Sequence, residues 1–220
     1  MTPGLPGPTP MSGLCGRCAD VRLLMERLWQ ICRAVHSAAL GIWLGALLVA
    51  GASAAMIFPL AREIGPVLPS FAKYTGDHAI LVGGMFAQRV FFAADVVQFV
   101  CATLAILTLG IIAILTLRRG RSMLVGARVA IFAITLCVFC WYFFMLTPGM
   151  QKALRLHYDA AQAGNNEAAL QHKSAFDADH PRASTALSVI AGGVALSLVL
   201  SLWTDRSGKG AARGRADGVA

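Results

Sequence analysis

Apolar residues fall into four long blocks along the chain, at about 34–58, 90–117, 123–146 and 184–203. Each holds about 20 or more mostly apolar residues, the length an α-helix needs to cross a hydrocarbon layer of about 30 Å. A spanning helix closes its own backbone hydrogen bonds, which lipid cannot do for it. The pattern therefore predicts an all-α fold, an integral membrane four-helix bundle over residues 31–204. Basic tails flank it at 1–30 and 205–220, and both are expected to be disordered.

Helix breakers punctuate the blocks. Pro59, Pro66 and Pro69 close the first, so no continuous helix is expected over 58–70. Tyr74-Thr75-Gly76-Asp77 reads as a turn, and a helical pattern resumes at His78 and runs to Leu117, with Gly83-Gly84 as a flexible point. The third block ends in Trp141, Tyr142, Phe143 and Phe144, the residue types that mark a headgroup boundary, followed by Thr147-Pro148-Gly149. Met150, Ala153, Leu154, His157 and Ala161 recur at helical spacing, Gly164-Asn165-Asn166 breaks the pattern, and a second short helix fits around Glu167–Phe176. These two form a helical hairpin between the third and fourth spans. Small residues at steps of four, Ser37/Gly41/Gly45 and Gly193/Ser197/Ser201, offer faces for close helix packing. For the first stripe, packing within one bundle is favoured over homodimerisation.

Composition agrees with the pattern. The chain is 57% hydrophobic and 14% charged, with a mean hydropathy of +0.65. A formal net charge of +8 raises the question of nucleic acid, but the basic residues lie beside the apolar blocks without interleaved aromatics. Arg17, Arg22, Arg27 and Arg33 precede the first block; Arg118, Arg119 and Arg121 join the second to the third; Arg206, Lys209, Arg213 and Arg215 follow the fourth. The positive-inside rule makes that side cytoplasmic, with both termini inside. No cleavable signal peptide is evident, and the segment before Met25 reads as an upstream extension or a misassigned start. A bacterial plasma membrane is the expected location.

Polar groups within spans are the main functional leads, because lipid makes them costly. Asp95 lies inside the second block, with Gln88 seven residues before it and Gln98 three after, all on one helix face. This face suits a proton, ion or ligand path; the alternative favoured here is a buried acid paired with Arg62, Arg89, Arg155 or Arg182. His36 opens the first block with Trp43 on the same face, at the opposite end from Asp95. An imidazole there suits haem or copper, or an interfacial hydrogen bond, the commoner case. Asp177-Ala178-Asp179-His180 is a local set of metal-ligand types without a specific motif. Cys15-Gly-Arg-Cys18 lacks the second pair a structural zinc site needs, and Cys137 and Cys140, one turn apart, read as small apolar fillers. No phosphate loop, G-x-S-x-G or H-E-x-x-H occurs.

Leu40-Gly41-Ile42-Trp43-Leu44-Gly45-Ala46, followed by Phe58-Pro59-Leu60, resembles the opening of the transmembrane protein 205-like family. Val82-Gly83-Gly84-Met85-Phe86 is similar to that family's entry to its second helix, and Phe176, His180 and Ser184 to its approach to the last. The resemblance covers 35–203 except for 150–174, and Asp177-Ala178-Asp179 is more polar than the family pattern. It implies a four-helix membrane protein with no established catalytic activity, and the role expected is structural or accessory. His36 with Trp43-Leu44-Gly45 also resembles copper-resistance membrane proteins, without the histidine and methionine clusters of copper import. The expectation is thus a non-enzymatic protein with no cofactor, partnered by the lipid bilayer and by a second copy or another membrane protein, with Pro59, Gln88, Asp95, Gln98 and His180 as its residues of interest. A small-solute or metal-ion transport component is the alternative. A haem- or redox-active subunit using His36 and Cys137/Cys140 is the third reading.

Overall fold

The computed structural model describes the backbone of residues 13–117 and 123–216, and side chains over 20–21, 23–116 and 126–203. Helices account for nearly all of it, and no strand occurs among the described residues. In chain order they are α1 (Gly13–Ile64), a single 3-10 turn (Pro69–Phe71), α2 (His78–Leu117), α3 (Met123–Trp141), a π turn (Tyr142–Leu146), α4 (Thr147–Ala163) and α5 (Asn166–Ala216). Four stretches are long and apolar enough to cross a membrane: Leu23–Ile64, His78–Thr116, Gly126–Ala163 and Asn166–Trp203. At 38 to 42 residues each, they run well beyond the hydrocarbon thickness at about 1.5 Å per residue. α1 and α5 reach into the segments expected as tails. Residues 1–12 and 217–220, the Arg118–Arg121 link, and the side chains of Cys15 and Cys18 lie outside the described residues.

Proline behaves differently from expectation. Pro59 lies inside α1, which ends only at Ile64, where Gly65 takes a left-handed φ of 58° ahead of Pro66. Pro181 lies inside α5. Thr147-Pro148-Gly149 does not stop the third helix either. Pro148 cannot donate to a carbonyl in the preceding turn, and its ring crowds that turn. The π turn relieves both problems with one wider coil, in which the Thr147 amide and its Oγ1 (3.0 Å) both donate to the Tyr142 carbonyl. α3, the π turn and α4 therefore form one long rod, and 147–163 with the start of α5 continues the third and fourth helices.

The rod reverses at Gly164, whose φ of 77° suits a left-handed helix cap. A Cβ there would lie 2.8 Å from Lys73 Cβ. Asn165 Oδ1 then caps α5 by accepting from the Ala168 amide at 3.1 Å, and Asn166 ties this turn to the α1–α2 link through the Thr75 amide (2.9 Å) and the Lys73 carbonyl (3.2 Å). Asp77 caps α2 by accepting from the amides of Ala79 and Ile80. Phe71, Leu81, Ala161 and Ala169 close this end with a small apolar cluster.

The main core gathers Leu40, Trp43 and Leu47 of α1, Ala102 and Ala105 of α2, Phe132 and Phe139 of α3, and Ile190 and Val194 of α5. α1 packs along α2 and α5, and α5 packs along α3 and α4, whereas α2 approaches α3 at few points. Close approach occurs where the small residues allow it. A Cβ on Gly193 would meet Thr135 Oγ1 at 2.1 Å, and one on Gly83 would meet Phe58 at 2.9 Å. Gly83-Gly84 is thus a contact surface within an unbroken helix. Gly41 and Gly45, expected to receive a neighbouring helix of the bundle, have nothing within 4 Å of a Cβ position.

Candidate functional site

Along the loosely packed seam, α2 meets the third helix through side chains. Phe99 stacks on Phe143 with ring centroids 5.5 Å apart, and Gln88 Nε2 donates to Gln151 Oε1 at 2.7 Å. Between these two contacts lies a buried polar chain. Trp43 Nε1 donates to Gln98 Oε1 at 3.1 Å, and Gln98 Nε2 donates to Asp95 Oδ1 at 3.0 Å. Tyr142 Oη donates to the same Oδ1 at 3.3 Å. The indole N–H can only donate, so it fixes the orientation of the Gln98 amide. Every donor in the chain points toward Asp95, its final acceptor.

Asp95 is 6% exposed, and its partners are not the arginines expected of it. It forms no ion pair among the described residues, and its carboxylate is held by neutral donors. The reason is geometric: helical periodicity placed the acid on an inward face, but the π turn decides which residue of the third helix it meets. Tyr142, expected at a headgroup boundary, is buried in the core.

Both bonds end on Oδ1, and Oδ2 takes none from the described residues. The sealed side-chain polar atoms without a partner among the described residues are the hydroxyls of Tyr158 and Ser197. Asp95 Oδ2 is not among these sealed atoms, and Asp95 lines a cavity of about 690 Å³. Asp95, Gln98 and Tyr142 form its inner end. Its walls are mostly apolar, including Leu47 and Phe58 of α1, Phe91 of α2 and Leu187 of α5, and the sealed Tyr158 Oη belongs to a lining residue. Tyr74, Asp77, Lys173 and Asp177 line the end by the interhelical turns, where Lys173 pairs with Asp177. Burial raises the Tyr74 phenol above its ordinary value; Lys173 opposes this and Asp77 adds to it. His157 also lines the cavity. Its Nδ1 lies 2.8 Å from the Ala169 carbonyl, so that nitrogen carries the proton and a neutral ring has its lone pair on Nε2.

Of the residues singled out in the sequence, Gln88, Asp95, Gln98 and His180 all line this cavity. Pro59 does not; it is exposed on α1. His180 is exposed and packs against Phe176, Asp177 pairs with Lys173, and Asp179 pairs with Arg182 at 2.8 Å. No three His, Cys, Asp or Glu side chains come together as metal ligands among the described residues. Cys137 is exposed and Cys140 half-buried, both as free thiols.

A second buried polar cluster lies toward the other end. His36 Nδ1 is 3.2 Å from Thr108 Oγ1 and its ring packs edge-on to Phe132. Arg128 Nη2 donates to Ser201 Oγ at 3.3 Å, and Ser201 shares a 2.9 Å bond with Ser37. Thr108 and Asp95 are 13 residues apart on α2, about 20 Å of helix, so the two clusters are separate. Reading the sequence alone missed Arg128, although a charge five residues into an apolar block is itself a signal. It also missed Tyr142 and Gln151, for which only the fold provides one.

No family model matches the chain, and neither a curated protein nor a solved structure matches it.

Trp43→Phe tests the polar chain. It removes the donor to Gln98 Oε1 and leaves that buried oxygen unsatisfied, an expected cost of about 1–2 kcal/mol. Denaturant unfolding in detergent reads it; an unchanged midpoint contradicts the bond.

Proposed function

We propose that this chain is a multi-pass membrane protein that binds a small solute inside its helix bundle as a transport component, with Asp95 as the group that recognises the solute. One observation carries the reading: a cavity of about 690 Å³, in the size range of small-molecule sites, ends on an unbonded oxygen of a buried carboxylate. Largely apolar walls with a few oriented polar groups at one end are what such sites have in common. A structural or accessory role, as the resemblance to the transmembrane protein 205-like family suggests, gives the cavity no occupant and leaves the cost of burying Asp95 without a return. The role is binding and passage rather than catalysis. With both termini cytoplasmic, as the basic flanks favour, the end lined by Asp77 and Lys173 faces outward from a bacterial plasma membrane.

Filling the cavity tests the reading. Ser188 lines it from an exposed position on α5 and takes no part in the Asp95 chain. Wild-type protein in detergent should retain phenylbutanol in equilibrium dialysis above the micelle background, and Ser188→Phe should lower that retention about tenfold while helicity stays unchanged. Equal retention by the two proteins overturns the proposal.

A further inference from the structure

We propose that the solute is an amphipathic organic cation, an ammonium group on an apolar body, and that it exchanges with a proton on Asp95. The inference rests on the solute-binding reading above and assigns its chemistry.

Three features point to a cation. Charge comes first: among the described residues the cavity is lined by three carboxylates, Asp77, Asp95 and Asp177, against one ammonium, Lys173, already paired with Asp177. A cleft with an excess of one sign concentrates the opposite ion. Second, the inner end lacks a counter-charge. The groups on Asp95 Oδ1 are the amide of Gln98 and the hydroxyl of Tyr142, both neutral donors that stabilise a carboxylate without cancelling its charge. A buried charge without a partner is costly, so the site is neutral either with a proton on Asp95 or with a cation beside it. Third, the walls carry six aromatic rings, those of Phe58, Phe91, Phe176, Tyr74, Tyr142 and Tyr158. Aromatic faces attract ammonium groups and accept apolar bodies equally well.

The free oxygen makes exchange possible. A proton on Oδ2 leaves both bonds to Oδ1 intact, and so does an ammonium hydrogen-bonded to Oδ2. Entry of the cation therefore releases the proton: the carboxylic acid and the ammonium become a carboxylate–ammonium pair, with one proton leaving to water and the total charge conserved. Other titratable groups face the same space. Tyr142 touches Asp95 from the π turn; His157 and Tyr158 come from α4, and Lys173, Asp177 and His180 from α5. Asp77 and Tyr74 lie in the link before α2, and the described residues of α1 contribute none. His157 is 15 residues from Tyr142, about 22 Å along the rod, so Asp95 is the acid next to the inner end.

The test uses the purified full chain in detergent and three ligands with one body: phenylbutylamine, phenylbutanol and phenylbutyrate. Equilibrium dialysis at neutral pH should give the amine about tenfold or greater preference over the alcohol, with phenylbutyrate weakest. In weak, mildly acidic buffer, amine binding should release protons. Asp95→Asn should lose the preference and the proton release while still binding the alcohol. Ser188→Phe, which leaves the polar chain whole, should weaken all three ligands about tenfold. Alcohol or carboxylate binding as tight as the amine overturns this inference and leaves the solute-binding reading standing. Amine binding without proton release overturns the exchange. Failure of all three ligands overturns both readings. The ammonium can come from water or from a lipid headgroup, and vesicles with and without phosphatidylethanolamine separate the sources. Competition by that lipid identifies a lipid amine, and its absence a solute; either result sustains the cation.

Discussion

Asp95→Asn is expected to leave the bundle folded and to weaken binding of an ammonium ligand by about 100-fold, the scale for removing one partner of a buried, hydrogen-bonded charge pair. Asparagine keeps an acceptor oxygen at the Oδ1 position, so Gln98 Nε2 and Tyr142 Oη still have somewhere to donate. Rotating the amide would set its NH₂ against these two donors, so the orientation is fixed. The NH₂ then takes the place of Oδ2 and faces the cavity, presenting a donor where an ammonium head needs an acceptor. Stability should change little, since the bonds inside the bundle survive. Parallel measurements of binding by dialysis and of unfolding in detergent separate the two effects. A variant that binds normally, or one that unfolds, contradicts this account of the oxygen.

Gly193→Ala is expected to destabilise the bundle by about 2–3 kcal/mol, the upper part of the range for overpacking a filled core. The added Cβ would lie 2.1 Å from Thr135 Oγ1 and 3.1 Å from Thr135 Cβ. Turning the Thr135 side chain moves its oxygen but leaves its Cβ in place, and Oγ1 is also held by the Ile131 carbonyl at 2.9 Å. The α3–α5 contact must therefore open. Gly41→Ala makes the opposite case. A Cβ there meets nothing within 4 Å, and alanine in place of a helical glycine gains about 0.5–1 kcal/mol. Unfolding midpoints of the two variants in one detergent should move in opposite directions. A Gly193→Ala midpoint that does not fall refutes the packing described for Gly193.

These contrasts show what the chain discloses on its own. The helix from His78 to Leu117 was legible because Tyr74-Thr75-Gly76-Asp77 supplies a turn and a capping carboxylate, and because the apolar pattern has no later breaker. The reversal at Gly164 was legible for the same kind of reason. Pro59 and Pro148 misled, since a proline stops a helix only where no tertiary contact supports its continuation. The π turn had no legible signal. It depends on a helix that continues on both sides of Pro148, and it directs Tyr142 toward Asp95.

The candidate site was half legible. Spacing alone put Gln88, Asp95 and Gln98 on one inward face, and all three line the cavity. Their partners Gln151, Tyr142 and Trp43 lie 63, 47 and 55 residues away in sequence, and periodicity within one helix carries no information about which residue of another helix lies opposite. An arginine was expected beside Asp95 because four lie at that end of the chain's topology. Arg182 instead pairs with Asp179 on an exposed face. A long arginine near a span end reaches water more cheaply than a buried acid.

Infrared difference spectroscopy on the full chain in lipid vesicles, with and without phenylbutylamine, tests most directly whether Asp95 is the group that meets the solute. The account predicts that the amine removes the absorbance of a protonated carboxyl and adds that of a carboxylate, and that neither change occurs in Asp95→Asn. Bound amine that leaves the carboxyl absorbance of the wild-type protein unchanged would contradict it.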